Sequence, residues 1–83
     1  MYKIKIDDMS KLKKFNFKRY NYGYCKKLSN SNEYDFIDIA FSDLLVKKCK
    51  FVDDHFEETY AERNDILDLI KSNYVRAIKD EKN

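Results

Sequence analysis

The sequence offers few side chains for covalent chemistry, because it has a single histidine, His55, and two cysteines, Cys25 and Cys49. A cysteine attacks a substrate as its thiolate, and a neighbouring histidine would supply the base. Cys49, however, alternates with the apolar residues Leu45 and Phe51 on one side of a predicted strand. A cysteine in that setting usually packs as a small hydrophobic residue. We therefore expect no catalytic residues and predict that the protein is not an enzyme.

A run of acidic residues between positions 53 and 62 surrounds His55. Carboxylate oxygens with one imidazole nitrogen suit a hard or borderline cation. The spacing matches no known metal-binding loop, and the glycine of an EF-hand is missing from it. Two cysteines are too few for a four-cysteine zinc site, and a single glycine cannot form a glycine-rich phosphate loop. We therefore expect no metal ion and no cofactor.

The stretch from Lys11 to Lys27 interleaves basic and aromatic residues. Basic side chains neutralise phosphates, and aromatic rings stack on bases. The same composition also arises in a small sheet with aromatics inside and lysines outside, and no RNA-recognition or helix-turn-helix signature is present. Nucleic-acid binding, as an accessory or regulatory protein, is therefore kept as the alternative function. The residues that would carry it are Lys13, Lys14, Lys18, Arg19, Lys26 and Lys27.

The net charge of +2 conceals an uneven distribution. Residues 1–32 contain nine lysines or arginines and two aspartates, whereas residues 53–70 contain seven acids and one arginine. The acidic segment matches a row of phosphates in charge, and tyrosines and arginines are enriched at interface hot spots. We predict that these groups bind a partner macromolecule. The predicted contact residues are Asp53, Asp54, Glu57, Glu58, Glu62, Arg19, Tyr20 and Tyr22.

Hydrophobic periodicity predicts the elements of the N-terminal half. Residues 2–6 alternate between apolar and basic, which predicts a strand, and a short helix with a narrow apolar stripe follows. Residues 17–28 alternate again and place Tyr20, Tyr22 and Tyr24 on one face of a strand. Gly23 within this strand indicates a bulge or the close approach of another backbone.

Two further strands and a helix complete the prediction. Residues 34–41 form a strand with Ile37, Ile39 and Phe41 towards the core, and a tight turn leads to a third long strand at residues 44–52. Residues 64–79 have helical spacing, which predicts a helix about 24 Å long. Residues 53–62 are compatible with a helix, a strand or an ordered loop, and we favour the helix.

The predicted fold class is α+β. A small antiparallel sheet of three to four strands carries the C-terminal helix on one face, with a short N-terminal helix, in a single domain over residues 1–83. No apolar run approaches the roughly 20 residues of a membrane helix, and no signal peptide follows Met1. We expect a cytoplasmic protein that is a monomer or a homodimer and does not bind membranes.

In two segments the sequence resembles small proteins carried by phages and other mobile elements of AT-rich bacteria. These segments include residues 21–24 (Asn-Tyr-Gly-Tyr) and 65–71 (Asp-Ile-Leu-Asp-Leu-Ile-Lys), and the bias towards Lys, Asn, Asp and Tyr agrees. Many such proteins of known role inhibit host defence, the anti-CRISPR proteins foremost. The resemblance implies a non-enzymatic inhibitor of a host-defence nuclease complex, such as a CRISPR effector. It would act by protein–protein contacts or phosphate mimicry in the cytoplasm of a bacterial host.

Overall fold

The computed structural model describes residues 1–28 and 35–78, except for the side chains of Phe51 and Val52. Within them, strands form two antiparallel sheets. In the larger sheet each strand pairs with the next one in the chain, so the connection is a simple meander. The α+β prediction is confirmed, but this sheet has five strands rather than three or four. The strands are β1 (Tyr2–Ile4), β2 (Lys18–Tyr20), β3 (Gly23–Lys27), β4 (Phe36–Ala40), β5 (Val46–Val52), β6 (His55–Tyr60) and β7 (Val75–Ala77).

Short helices cover one face of the five-stranded sheet. The N-terminal helix is a 3₁₀ helix over Ile6–Phe15, and a 3₁₀ turn at Arg63–Ile66 leads into α1 (Leu67–Lys71). Leu12 and Leu69 from these helices are buried in the same core cluster as Ile37 of β4. Helical turns therefore occur in both predicted regions, and Leu69 of the C-terminal one joins the core on the sheet. No helix of the described residues is long and apolar enough to cross a membrane.

The helix predicted over residues 64–79 is wrong beyond Lys71. Asn73 adopts a left-handed conformation with φ of 62°, which is typical of the residue that follows a helix end. The chain then forms β7, which pairs with β1 in a two-stranded sheet. Backbone hydrogen bonds to β1 and burial of the β-branched Val75 favour the strand over further helix.

The helix favoured for residues 53–62 is also wrong, and the strand that was left open as an alternative is observed as β6. Asp53 and Asp54 have φ of 49° and 67°, so they form a two-residue hairpin turn of the kind that matches strand twist. β6 then pairs along its length with β5. The spacing of Phe56 and Tyr60, four residues apart, fits one face of a strand as well as one face of a helix.

Residues 17–28 form a hairpin rather than one strand. Tyr20 pairs with Gly23, so the two residues between them make the turn. Tyr24 is buried in the core, Tyr22 is exposed in the turn, and Tyr20 lies on the opposite face of the sheet from Tyr24. The expected common face of Tyr20, Tyr22 and Tyr24 therefore does not exist.

The core lies on one side of the five-stranded sheet, which we call the covered face. Ile37, Ile39 and Val46 have no exposed surface there, so the predicted core role of the two isoleucines is confirmed. The same prediction for Phe41 is wrong, because Phe41 lies in the turn after β4 and is 40% exposed, with its ring against that of Tyr24. The close backbone approach predicted at Gly23 is confirmed as well. A Cβ atom at Gly23 would collide with the carbonyl oxygen of Ile39 and would lie 2.8 Å from the Cα atom of Ala40.

Candidate partner-binding face

The other side of the five-stranded sheet, the open face, carries no residue of the core cluster. Cross-strand pairing places its side chains in rows, because directly paired residues point to the same side. One row runs from Cys25 through Asp38 and Lys47 to Tyr60. The next contains Lys27, Phe36, Cys49 and Glu58.

A hollow of about 540 Å³ occupies the middle of the open face. All five strands of the sheet contribute to it, β2 through its last residue, Tyr20. It combines aromatic rings, two thiols and two carboxylates. The lining residues are Tyr20, Cys25, Phe36, Asp38, Cys49, Phe56 and Glu58.

Tyr20 and Asp38 are joined across this hollow. The phenol of Tyr20 donates a hydrogen bond to Oδ1 of Asp38, although β3 lies between their strands. Two causes raise the pKa of Tyr20 far above its ordinary value: burial is the larger, and this hydrogen bond is the next. The phenol therefore keeps its proton at neutral pH and fixes one oxygen of the Asp38 carboxylate.

The two thiols of the hollow are held in their protonated form. Burial first, and then the charges of Glu58 and Asp38, raise the pKa of Cys49 to about 11. Its Sγ donates to Oε2 of Glu58 at 3.8 Å. Burial and the charge of Asp38 raise the pKa of Cys25. A nucleophilic cysteine needs the opposite shift, so neither thiol has the environment of a reactive one.

His55 is not placed to activate either thiol. It lies next to Val52 in the register of β5 and β6, on the opposite side of β6 from Glu58. Its Nε2 is 3.4 Å from Oε2 of Glu57, and its Nδ1 is 3.2 Å from the carbonyl oxygen of Asp53. The described residues contain no group of three or more His, Cys, Asp or Glu side chains that could hold a metal ion.

Aromatic rings form one wall of the hollow. The rings of Phe36 and Phe56 lie 5.9 Å apart with planes tilted by 44°. Phe56 remains 62% exposed, which is high for a phenylalanine on a paired strand. Tyr20 also contacts Tyr22 edge to face, with centroids 6.2 Å apart. The face therefore presents aromatic surface to solvent beside charged groups.

Three lysines lie on the open face without lining the hollow. Lys47 is paired with Asp38 in the strand register, but its Nζ contacts Oδ2 of Asp43 at 3.2 Å and Oε1 of Glu58 at 3.8 Å. Lys18 and Lys27 lie at the β2 and β3 side of the face. Asp38 therefore sits in the centre of the face, and its cross-strand neighbour Lys47 contacts other carboxylates.

The predicted acidic contacts divide between separate places. Asp53 and Asp54 are exposed at the tip of the β5–β6 hairpin, and Glu57 and Glu58 point to opposite sides of β6. Glu62 lies at the start of the 3₁₀ turn, where its backbone N–H donates to Oδ2 of Asp65 at 3.0 Å. The structure thus brings one predicted acid, Glu58, together with Tyr20 in the hollow.

The predicted basic contacts do not share one surface. Lys13 and Lys14 lie at the end of the N-terminal 3₁₀ helix, and Lys14 contacts the hydroxyl of Tyr74 at 3.5 Å. Arg19 lies over the ring of Phe41 at 5.4 Å, and Lys26 lies over Phe17 at 5.6 Å, both on the covered side of the sheet. Lys18 and Lys27 are on the open face.

The predicted contacts omit five of the seven residues that line the hollow, namely Cys25, Phe36, Asp38, Cys49 and Phe56. The available signal was the alternation in residues 34–41, which sets Phe36 and Asp38 opposite the core residues Ile37 and Ile39. A side opposite the core is either solvated or an interface, and the alternation alone does not say which.

Comparison of this chain with protein families, with curated proteins and with solved structures gave no match.

Proposed function

We propose that this protein is a small non-enzymatic binding protein that inhibits a host-defence nuclease complex by docking on it through the open face. The observation that carries the proposal is the hollow, where aromatic rings and carboxylates are exposed together on a sheet whose other side already holds the core. Grouped exposed apolar surface with a polar surround is typical of interaction sites. Aromatic side chains in such a group are the usual anchors of an interface.

The acidic hairpin supports the choice of a nuclease as the target. Asp53 and Asp54 project from the tip of the hairpin, with Glu57 and Glu58 on the strand that follows. A narrow hairpin tip with two exposed carboxylates, Asp53 and Asp54, and with Glu57 close behind it has the charge and the shape to enter a basic channel that normally holds phosphates. The resemblance to mobile-element proteins points to the same class of target.

The first test is capture of a partner from a bacterial lysate with the tagged protein, with and without nuclease treatment. We expect a stoichiometric protein complex that survives the treatment. Recovery of nucleic acid, or of partners that are lost on treatment, would instead favour the basic residues and the nucleic-acid-binding alternative. The captured complex then serves for measurements with variants and for assays of its nuclease activity.

Two alanine substitutions, at apolar side chains of nearly equal exposure, test whether the open face contacts the partner. Phe56→Ala removes an exposed ring from the hollow, and Ile6→Ala removes an exposed apolar side chain from the N-terminal 3₁₀ helix. We expect Phe56→Ala to weaken capture at least tenfold, as truncation of an interface anchor does, and Ile6→Ala to leave it unchanged. Equal binding by both variants would exclude the open face as the contact surface.

Charge reversal tests phosphate mimicry separately. Replacement of Asp53, Asp54 and Glu57 by lysine should abolish inhibition of the captured nuclease while the hollow stays intact. If inhibition persists, the acidic hairpin does not mimic phosphates. The open face would then remain as the docking surface on its own.

A further inference from the structure

We propose that the hollow of the open face is a receptor for an arginine side chain of the partner protein, with Asp38 as its carboxylate anchor. The inference rests on the proposed function, because it names the chemistry that the partner must bring to the open face. It is carried by three features of the hollow: a carboxylate at its centre, aromatic rings at its wall, and the absence of a lysine among its lining residues.

The first feature constrains any partner that covers the face. Asp38 is half-buried on the central strand β4, and one of its oxygens accepts a hydrogen bond from Tyr20. A partner that seals the hollow removes the remaining water from this carboxylate. Burial of a carboxylate without a counter-charge is strongly unfavourable. A surface that docks here must therefore place a cation against Asp38.

The second feature selects the kind of cation. The rings of Phe36 and Phe56 stand beside the carboxylates, with Glu58 across the hollow from Asp38. A guanidinium group is planar, stacks on an aromatic ring and donates to carboxylates in pairs. Its three-carbon stem also buries against apolar surface. An arginine satisfies rings and carboxylates at once, whereas a lysine ammonium is a more strongly hydrated point charge.

The third feature concerns the local potential. The hollow is lined by two carboxylates, Asp38 and Glu58, and by no lysine. Burial is the largest cause of the raised pKa values of Cys25 and Cys49, and these carboxylates add to it, whereas Lys18 and Lys47 act in the opposite direction from outside the lining. An anionic or phosphorylated ligand would meet two carboxylates there and no cationic lining residue.

A second copy of this chain is a poorer occupant. If two open faces met about a twofold axis, the central strands β4 would face each other and bring two Asp38 carboxylates together. Two like charges in a sealed interface are unfavourable. The geometry therefore points to a different protein that carries the complementary charge.

The test uses the full chain labelled with ¹⁵N and a small probe, Nα-acetyl-arginine N-methylamide. Its neutral counterpart is Nα-acetyl-citrulline N-methylamide, which has a urea group in place of the guanidinium. We expect saturable shifts of backbone amides at Phe36, Asp38, Cys49 and Glu58. The dissociation constant should be of order 10 mM, as expected for a single side chain. The citrulline probe should bind roughly tenfold more weakly or not at all, because it lacks the charge-assisted contacts.

Matched variants distinguish specific binding of the arginine probe in the hollow from nonspecific attraction of a cation to the protein's negative charges. Asp38→Asn keeps an oxygen for Tyr20 but removes the charge, and Asp54→Asn removes the same charge at the hairpin tip. We expect the shifts to disappear in Asp38→Asn and to persist in Asp54→Asn. Glu58→Gln, at the sheet edge, should weaken binding by a smaller factor. It also serves as the second variant if Asp38→Asn loses its dispersed spectrum.

Several results would overturn the inference. The first three are equal binding of the citrulline probe, shifts centred on Asp53 and Asp54, and no shifts with the arginine probe. The fourth is a set of shifts at the hollow that depend on protein concentration without any probe, which would make a second copy of the chain the occupant. These failures differ from failure of the proposed function. If Phe56→Ala abolishes partner capture while the arginine probe does not bind, the open face stays the docking surface and the arginine receptor is wrong.

Discussion

The hydroxyl of Tyr20 on β2 is hydrogen-bonded to the carboxylate of Asp38 on β4, across the intervening strand β3. The cross-strand neighbour of Tyr20 is Gly23, which has no side chain to stand between them. The tyrosine therefore extends over β3 to the centre of the open face. This one contact ties the edge strand of the sheet to its middle and orients the carboxylate of the hollow.

The contact predicts how Tyr20 titrates. Burial and the hydrogen bond to Asp38 raise the pKa of Tyr20, whereas an unfolded chain ionises its tyrosines near pH 10. Between pH 8 and 11 the folded protein should therefore keep this phenolic proton. Above pH 10 the folded state therefore binds more protons than the unfolded state, so this group's contribution to stability is fully present below pH 10 and declines as the pH rises above it.

Absorbance at 295 nm checks this titration. Between pH 8 and 11, Tyr20→Phe should leave the absorbance change of the folded protein unaltered. In a denaturant the same variant should lose one of seven tyrosine contributions. Asp38→Asn should lower the pKa of Tyr20 by removing the Asp38 charge, while the larger effect of burial remains. A reduced change in folded Tyr20→Phe would mean that Tyr20 ionises like a free tyrosine.

Gly23 predicts a second, purely steric effect. A methyl group at this position collides with the backbone at Ile39 and Ala40, which a paired strand cannot move aside without losing its hydrogen bonds. We expect Gly23→Ala to lower the free energy of unfolding by about 3 kcal/mol. Urea denaturation measures the loss. Asn21→Ala, in the adjacent turn, is the control and should change stability by less than about 0.5 kcal/mol.

Two isoleucines provide a matched pair for the location of the core. Ile37 is fully buried on β4, whereas Ile6 at the start of the N-terminal 3₁₀ helix is 71% exposed. The same substitution to alanine should cost about 3–4 kcal/mol at Ile37, through lost burial and the cavity left behind. At Ile6 it should cost less than about 0.5 kcal/mol. Similar urea midpoints for the two variants would contradict the assignment of the covered face.

The sequence predicted those parts of the fold that depend on local alternation. Ile37 and Ile39 lie two apart on a strand that is buried on one side, so their pattern identifies the core directly. The α+β class, the N-terminal helix and the packing of the C-terminal helix follow from similar patterns. These features need no information about which strand lies next to which.

The features that depend on which strands pair cannot be predicted from local alternation. The hairpin turn at Asp53 and Asp54 requires two left-handed residues, and without glycine at either position its signal is faint. β7 forms because β1 offers it backbone partners about 70 residues away. The hollow needs the register of all five strands, since Tyr20, Asp38 and Cys49 come together only when these strands align.

Cys49 supplies the last prediction, which concerns thiol reactivity. Its pKa of about 11, against 9.0 for a free thiol, lowers the thiolate fraction at pH 7 by about 100-fold. The greater nucleophilicity of a more basic thiolate recovers about tenfold of this. In a Cys25→Ser background, we expect iodoacetamide to alkylate Cys49 about tenfold more slowly in the folded protein than in the denatured chain. Mass spectrometry over time gives both rates.

The effect of the Glu58 charge on the alkylation rate of Cys49 can be measured separately from the effect of burial. Burial is the largest contribution to the raised pKa of Cys49, and the charge of Glu58 is the next. Glu58→Gln should therefore speed alkylation several-fold, whereas Glu57→Gln, on the opposite side of β6, should leave the rate unchanged. If both variants react at the rate of the parent, the Glu58 carboxylate does not act on the thiol. If folded and denatured chains react alike, the raised pKa of Cys49 in the folded protein is wrong.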